Sequence, residues 1–357
     1  MKHIFIIFLF AICFQQASAQ GCVAIRSTGA VCTRQDAGKD VVEGWQLNTS
    51  YRYFKSFRHF VGTEEQKQRV EEETDVRNWQ NTLDLNLVRH FSNRWSLGID
   101  LPVLANTRSS LYEHGGKDRH STHSFGMGDL RLSAYRWLLD PAKSTKGNIQ
   151  LGLGIKLPTG DYKYEDFFYK TDGTQILGPV DQSIQLGDGG TGFTTDMNAY
   201  YNLSHAISVY GNFYYLFNPR EQNGVSTSRG AAPSATSLLY KSSTMSVPDQ
   251  YMARAGGSYM IKDFSISAGM RMECVPVHDL IGGSTGFRRP GYVISAEPGV
   301  SYQLKKFTAY AAVPVAIVRS RTQSVPDKIR TRITGVRAQG DAAFADYSIN
   351  VGFSVKF

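Results

Sequence analysis

Beyond residue 14 the sequence has no long apolar run. A membrane-spanning helix needs about 20 consecutive apolar residues, which excludes a helical membrane protein. A membrane β-barrel stays open, because its signature is alternation rather than hydropathy. Cysteine is scarce, with four in 357 residues, and no C-x-x-C pair occurs. There is no H-E-x-x-H pair for a zinc hydrolase and no serine elbow set between a strand and a helix, so no enzyme, cofactor or metal is expected. Acidic residues are outnumbered 31 to 39, a formal charge of +8. A basic balance suits nucleic acid or anionic surfaces.

The N-terminus narrows that choice. Met1-Lys2-His3 precedes an apolar run of 11 residues, Ile4 to Phe14, and then Ala17-Ser18-Ala19. This is the pattern of a secretory signal peptide cleaved after Ala19. Cleavage leaves 338 residues with a formal charge of +7. Export argues against a nucleic-acid partner and for anionic lipid headgroups or small solutes; the sequence does not set the oligomeric state.

The last stretch, DYSINVGFSVKF, sets the class. Tyr347, Ile349, Val351, Phe353, Val355 and Phe357 share one parity; Ser348, Asn350, Gly352, Ser354 and Lys356 share the other. Successive side chains of a strand point to opposite faces. One face is therefore apolar with aromatic ends, and the other is small and polar, as in a strand between lipid and a watery lumen. The terminal Phe357 also resembles the closing residue of bacterial outer-membrane barrels. The same alternation recurs along the chain, and its connections are alternately short and long. Twelve strands are expected over 44–357, with five short turns and six long loops. An even count puts both ends and the short turns on the periplasmic side and the long loops outside. The fold expected is an all-β transmembrane antiparallel barrel, preceded by a signal (1–19) and a short segment (20–43), in the outer membrane of a Gram-negative cell.

Charge on the lipid face costs about 2–4 kcal/mol for Arg or Lys at the midplane. Alternation instead turns Asp84, Asp100, Asp129, Arg131, Lys156, Asp196, Arg254, Arg271, Glu273 and Glu297 inward. They read equally as a polar solute pathway or as a salt-bridge network that fills a narrow barrel. Pro102, Pro158, Pro276, Pro298 and Pro314 fall in or at the ends of strands. Proline cannot donate to the ladder, so each marks strand termination near a rim or a local gap through which an apolar solute leaves sideways. Tyr162, Tyr164, Phe167, Phe168 and Tyr169 sit in a long loop, as a capture site for apolar ligands or as an outer girdle. His114, His120 and His123 share another loop, but their spacing matches no strong metal template.

Three runs resemble the MetA-pathway-of-phenol-degradation family of outer-membrane proteins: Gly128, Asp129 and Leu130; then Lys156, Leu157, Pro158, Thr159, Gly160 and Asp161; then Gln182, Gly187 and Gly190. The resemblance implies a barrel that passes aromatic or other apolar compounds, and it supplies no catalytic residue. The function expected is passive passage of a small solute. A structural or loop-binding barrel is the alternative, and an outer-membrane lipid hydrolase the second alternative. Ser204 and His205 fall in a short turn, the wrong side for that hydrolase, and His278 and Asp279 lack a nucleophile. Cys22 and Cys32 remain. Lipidation requires an aliphatic residue three positions before Cys22, where Ala19-Gln20-Gly21 fits poorly. The periplasm is oxidising, so a Cys22–Cys32 disulfide leads over lipidation, and Cys274 is the odd thiol.

Overall fold

A computed structural model describes residues 43–357. The signal and the Cys22–Cys32 pair lie outside the described residues. Twelve antiparallel strands close into one barrel. They are β1 (Gly44–Val61), β2 (Arg77–His90), β3 (Trp95–Ser110), β4 (Leu130–Trp137), β5 (Gly147–Leu157) and β6 (Gly192–Asn202). The second half comprises β7 (Ile207–Phe217), β8 (Gln250–Ile261), β9 (Phe264–Val275), β10 (Gly291–Leu304), β11 and β12 (Ala342–Lys356). Strand β11 is broken at Val313-Pro314 into Phe307–Ala312 and Val315–Arg321. The last strand pairs with the first from Gln46↔Lys356 to Phe60↔Ala342, which closes the sheet on itself. Strand number and the alternation of short and long connections are as the sequence predicts.

Alternation decides which side of the wall each residue faces. Trp95, Leu97 and Ile99 are exposed to the outside; Ser96 and Asp100 are buried within. The terminal strand behaves alike, with Tyr347, Ile349, Val351 and Phe353 exposed. The outer face is thus apolar and the interior polar, the inverse of a soluble core.

The narrow lumen is filled by pairing large inward residues with glycines. A Cβ at Gly152 would lie 2.7 Å from the Tyr135 ring, and one at Gly256 would lie 2.6 Å from the Tyr210 hydroxyl. Tyr135, Tyr200, Tyr210 and Tyr214 are all buried. These inward glycines are therefore the space into which tyrosines pack.

Not every long loop stays outside. The segment Val180–Asp188, between β5 and β6, turns into the barrel and carries Val180, Ile184 and Leu186 into the interior. A short 3-10 turn, Gln182–Ile184, is capped by the Asp181 carboxylate, which accepts from Ser183 N. The Gln80 side chain donates to the Ser183 carbonyl at 2.8 Å. Three buried aliphatic side chains and satisfied backbone groups hold the segment there, since burying apolar surface is favourable when backbone polar groups keep partners. Among the described residues Cys274 is a buried free thiol.

Candidate functional site

The strand ladder lapses twice at the loop end of the barrel: above its break β11 pairs with β12 only at Val315↔Tyr347, and between β3 and β5 the lapse follows from two prolines. Strand β3 pairs with β4 from Trp95↔Arg136 to Asp100↔Arg131. Beyond Pro102 its partner changes to the hairpin arm His120–Met127, from Val103↔Met127 to Ser110↔His120. The Pro102 carbonyl accepts from Gly128 N at 2.8 Å, at the joint between arm and strand. On its other edge β4 holds β5 up to Leu130↔Leu157, where Pro158 ends the ladder. The corresponding edge of the arm has no strand partner among the described residues. Above this height no ladder joins the arm to β5 between Met127 and Pro158; the arm instead meets the hairpin Glu165–Pro179, where His123 N donates to the Asp166 carboxylate at 2.7 Å. Phe125 (69 % exposed) and Met127 (62 %) face outward beside the gap.

The inward segment closes the gap from inside. All three glycine-rich runs singled out in the sequence meet here. The Asp129 carboxylate accepts from Gly160 N at 3.0 Å and Asp188 N at 3.2 Å. Lys156 Nζ lies 3.6 Å from Asp129 and contacts both carboxylate oxygens of Asp188. Thr159 Oγ1 donates to the Gly128 carbonyl at 3.1 Å and accepts from Leu130 N at 2.9 Å. A Cβ at Gly187 would stand 2.5 Å from Asp129 Oδ1, and one at Gly160 would stand 2.7 Å from the Leu186 carbonyl. Those glycines permit the loop backbone to lie directly on the wall. The result is a latch: Asp129 on the wall, Lys156 at the end of β5, and Asp188 on the loop.

Behind the latch is a chamber of about 100 Å³, lined by Asp129, Arg131 and Lys156 and by the apolar Leu186, Leu216, Met245 and Val275. Beyond it, towards the long loops, lies a vestibule of about 410 Å³. Asp181 stands between them: it is 3.5 Å from Arg108 and takes both guanidinium nitrogens of Arg289, at 2.8 and 2.6 Å. Burial alone would raise the Asp181 carboxyl, but Arg108 and Arg289 outweigh it and hold it well below the usual aspartate value.

The vestibule rim carries a pH-dependent contact. Asp341 meets His59 Nδ1 at 2.9 Å and Arg69 Nε at 3.1 Å. Burial pushes this carboxyl up, but the His59 hydrogen bond and charge, with Arg69 and Arg289, win and set it at about 2, against an ordinary 3.8. A carboxylate depressed on folding contributes stability above its unfolded pKa and loses it as pH falls through the folded value. We expect the protection of amides at the loop end of β12, taken relative to their intrinsic exchange rate at each pH, to fall as pH drops from about 4 to about 2, and Asp341→Asn to show that lower protection already at pH 7. Hydrogen-exchange mass spectrometry reads both, and equal exchange in the two proteins at pH 7 would contradict the assignment.

Deeper in the lumen the predicted inward charges lie against one another. Glu297 accepts from Arg254 at 3.0 Å and lies 3.5 Å from Arg271, which holds Glu273 at 2.9 Å. Arg131 lies among Asp84, Asp100 and Asp196, its guanidinium 5.4 Å from the Tyr214 ring centre. Asp84 and Glu273 are only half-buried; the other eight are buried. Asp129 and Lys156 alone belong to the latch.

The aromatic loop is less exposed than its composition suggests. Phe168 is buried, stacked at 5.4 Å on His114, and Tyr169 stacks at 3.8 Å on His120. Aromatic faces are hidden where a partner ring is available. Tyr162 covers Gly189, Tyr164 is half-buried beside Gln185, and Phe167 is the exposed member. His114 and His120 are thus stacking partners, and His123 Nδ1 is 3.1 Å from the Thr107 hydroxyl. No metal-holding group of three ligands occurs among the described residues. Gly282–Gly286 has G-x-S-x-G spacing, which reading for an elbow passes over. It lies in the loop between β9 and β10, and its Ser284 hydroxyl accepts from Asp279 N at 2.9 Å. Asp279 is itself committed to Arg288 at 2.6 Å. Sequence reading also missed the arginines of the vestibule; they come from four loops and the ends of β3 and β11, and only Arg288-Arg289 are adjacent.

No family model and no curated protein matches the chain in sequence. In fold it is similar to the COG4313 outer membrane channel from Pseudomonas putida F1, at 12 % identity and a TM-score of 0.60, over 94 % of this chain and all of that one. The P. putida toluene transporter TodX aligns over 88 % of this chain and 89 % of its own, at 9 % identity and a TM-score of 0.43. The translocator domain of the autotransporter NalP from Neisseria meningitidis also gives a TM-score of 0.43, at 12 % identity over 88 % of each chain. The chain has the fold of an outer-membrane β-barrel.

Proposed function

We propose that this barrel is a passive outer-membrane channel for small apolar or aromatic solutes, which enter between the long loops and leave sideways through the wall. One observation carries this reading: the strand ladder lapses between Met127 and Pro158 directly beside a half-apolar chamber, and the inward loop lies over that lapse from inside. The alternative exit, straight down the lumen, is filled by buried tyrosines and ion-paired arginines. An apolar solute loses about 25 cal/mol per Å² of apolar surface on entering water, so release from the chamber into the lipid beside Phe125 and Met127 is favoured over release into that charged layer.

The resemblance to the phenol-degradation family and the similarity in fold to the P. putida F1 outer membrane channel agree with this reading. Residues 1–19 would direct export, and lipids of the outer membrane would surround the apolar face. A lipid hydrolase is disfavoured by the commitment of Asp279 to Arg288 and of the Ser284 hydroxyl to backbone. The test is reconstitution of the purified protein into liposomes and planar bilayers. Uptake of toluene into protein-containing vesicles should exceed that into empty ones, while ionic conductance stays small because the lumen is packed. Neither uptake nor conductance is the outcome for a purely structural barrel and would overturn the proposal.

A further inference from the structure

The vestibule is charged in a way that passage of a neutral hydrocarbon does not require. Seven arginines line its 410 Å³, a volume in the range of small-molecule sites. Arg108, Arg288 and Arg289 are tied down by Asp181 and Asp279 behind the lining. Arg69, Arg229 and Arg321 each meet one carboxylate: Asp341, Glu113 and Asp327. Arg330, on the helix Val325–Thr334, is exposed and has no carboxylate within ion-pair distance among the described residues; its guanidinium sits 6.0 Å from the Tyr240 ring. Seven cations thus face five carboxylates, an excess of two positive charges in a concave site, where low-dielectric walls focus the field.

The backbone supports this. Arg229 adopts φ +50°, a left-handed conformation that a long side chain seldom takes, although Gly230 follows it at φ +81°. A non-glycine residue held there is strained. The turn delivers the Arg229 guanidinium to Glu113 at the cavity edge, 2.9 Å away.

We infer that the vestibule binds a small aromatic carboxylate, the anionic group against Arg330 and Arg69 and the ring beside Tyr112, Tyr240 and Phe287, which also line the cavity. Arg69 already lies 5.2 Å from the Tyr112 ring. A guanidinium on an aromatic face can hold a carboxylate at its edge while the ring packs against the solute. This rests on the channel reading and refines it: the solute is amphiphilic, its charge read in the vestibule and its apolar part in the chamber.

The test is binding rather than transport, so the two readings fail separately. Equilibrium dialysis of the purified full-length barrel in non-ionic detergent, with micelle blanks subtracted, compares benzoate with benzyl alcohol, a neutral molecule of nearly the same shape. Benzoate should bind at least about tenfold more tightly. The double variant R69Q/R330Q should weaken benzoate about tenfold, while R332Q, on the same helix and outside the cavity lining, should not change it. Equal binding of the two probes overturns the inference, as does equal loss in R332Q, which would indicate general surface charge. Liposome uptake of toluene by R69Q/R330Q reports whether the variant still folds and conducts.

Discussion

Replacing Lys156 with Met should raise passive flux of an apolar solute through the barrel by about tenfold or more. Lys156 is 2 % exposed and stands between two carboxylates, Asp129 on the wall and Asp188 on the inward loop. Met keeps most of the volume and removes the charge. The two carboxylates then face each other in a site of low dielectric. Breaking a buried pair by removing one partner costs about 3–5 kcal/mol. That cost falls on the closed state alone, because an opened loop exposes Asp188 to water. Each 1.4 kcal/mol is tenfold in an equilibrium, so the open fraction rises until it saturates. Asp129→Asn should act in the same direction with a smaller effect, since Lys156 keeps Asp188 and the amide oxygen still accepts a backbone hydrogen bond. Stopped-flow uptake of toluene into liposomes reads both. Flux equal to or below that of the parent protein would exclude the latch.

The second large effect is on stability. Glu297→Ala should destabilise the barrel by about 3–5 kcal/mol. The Glu297 carboxylate is 2 % exposed and is shared by Arg254 and Arg271. Alanine leaves two buried guanidinium groups facing each other across Arg254↔Arg271, a directly paired position of β8 and β9. Converting Arg254, Arg271, Glu273 and Glu297 together to Met should cost less than the single change, because two charges and two counter-charges leave together. Urea unfolding in one fixed detergent, followed by tryptophan fluorescence, measures the midpoints. A Glu297→Ala midpoint unchanged within error would mean that water already reaches the network.

The strands were legible because lipid and lumen impose opposite demands on alternate residues. Trp95, Leu97 and Ile99 against Ser96, Gly98 and Asp100 admit only one assignment of faces. The prolines were legible as interruptions, but not which of them opens the wall. Pro102 and Pro158 are 56 positions apart, and only pairing β3 with both β4 and the arm His120–Met127 brings them to one gap. Asp129 and Lys156 read simply as inward charges; nothing local to either indicates that Asp188 lies between them. The inward loop did leave a trace: Val180, Ile184 and Leu186 are more aliphatic than a solvated loop needs. The vestibule left less, because its arginines come from separate loops and strand ends whose meeting is set by barrel closure. The loop aromatics gave a mixed signal, since Phe168 and Tyr169 stack on His114 and His120 and are as much packing as surface.

Whether solutes leave through the wall is tested most directly with one protein in two redox states. A Cβ at Gly187 points at the Asp129 carboxylate, 2.5 Å from Oδ1, so D129C/G187C can replace the ionic latch with a covalent one within disulfide reach. With the disulfide reduced, the latch is absent and toluene uptake by liposomes should exceed that of the parent protein. With it formed, the loop is fastened to the wall and uptake should fall at least about tenfold below the reduced state, with the parent protein insensitive to the same treatment. Uptake that stays the same in both redox states would place the exit elsewhere and contradict a lateral route.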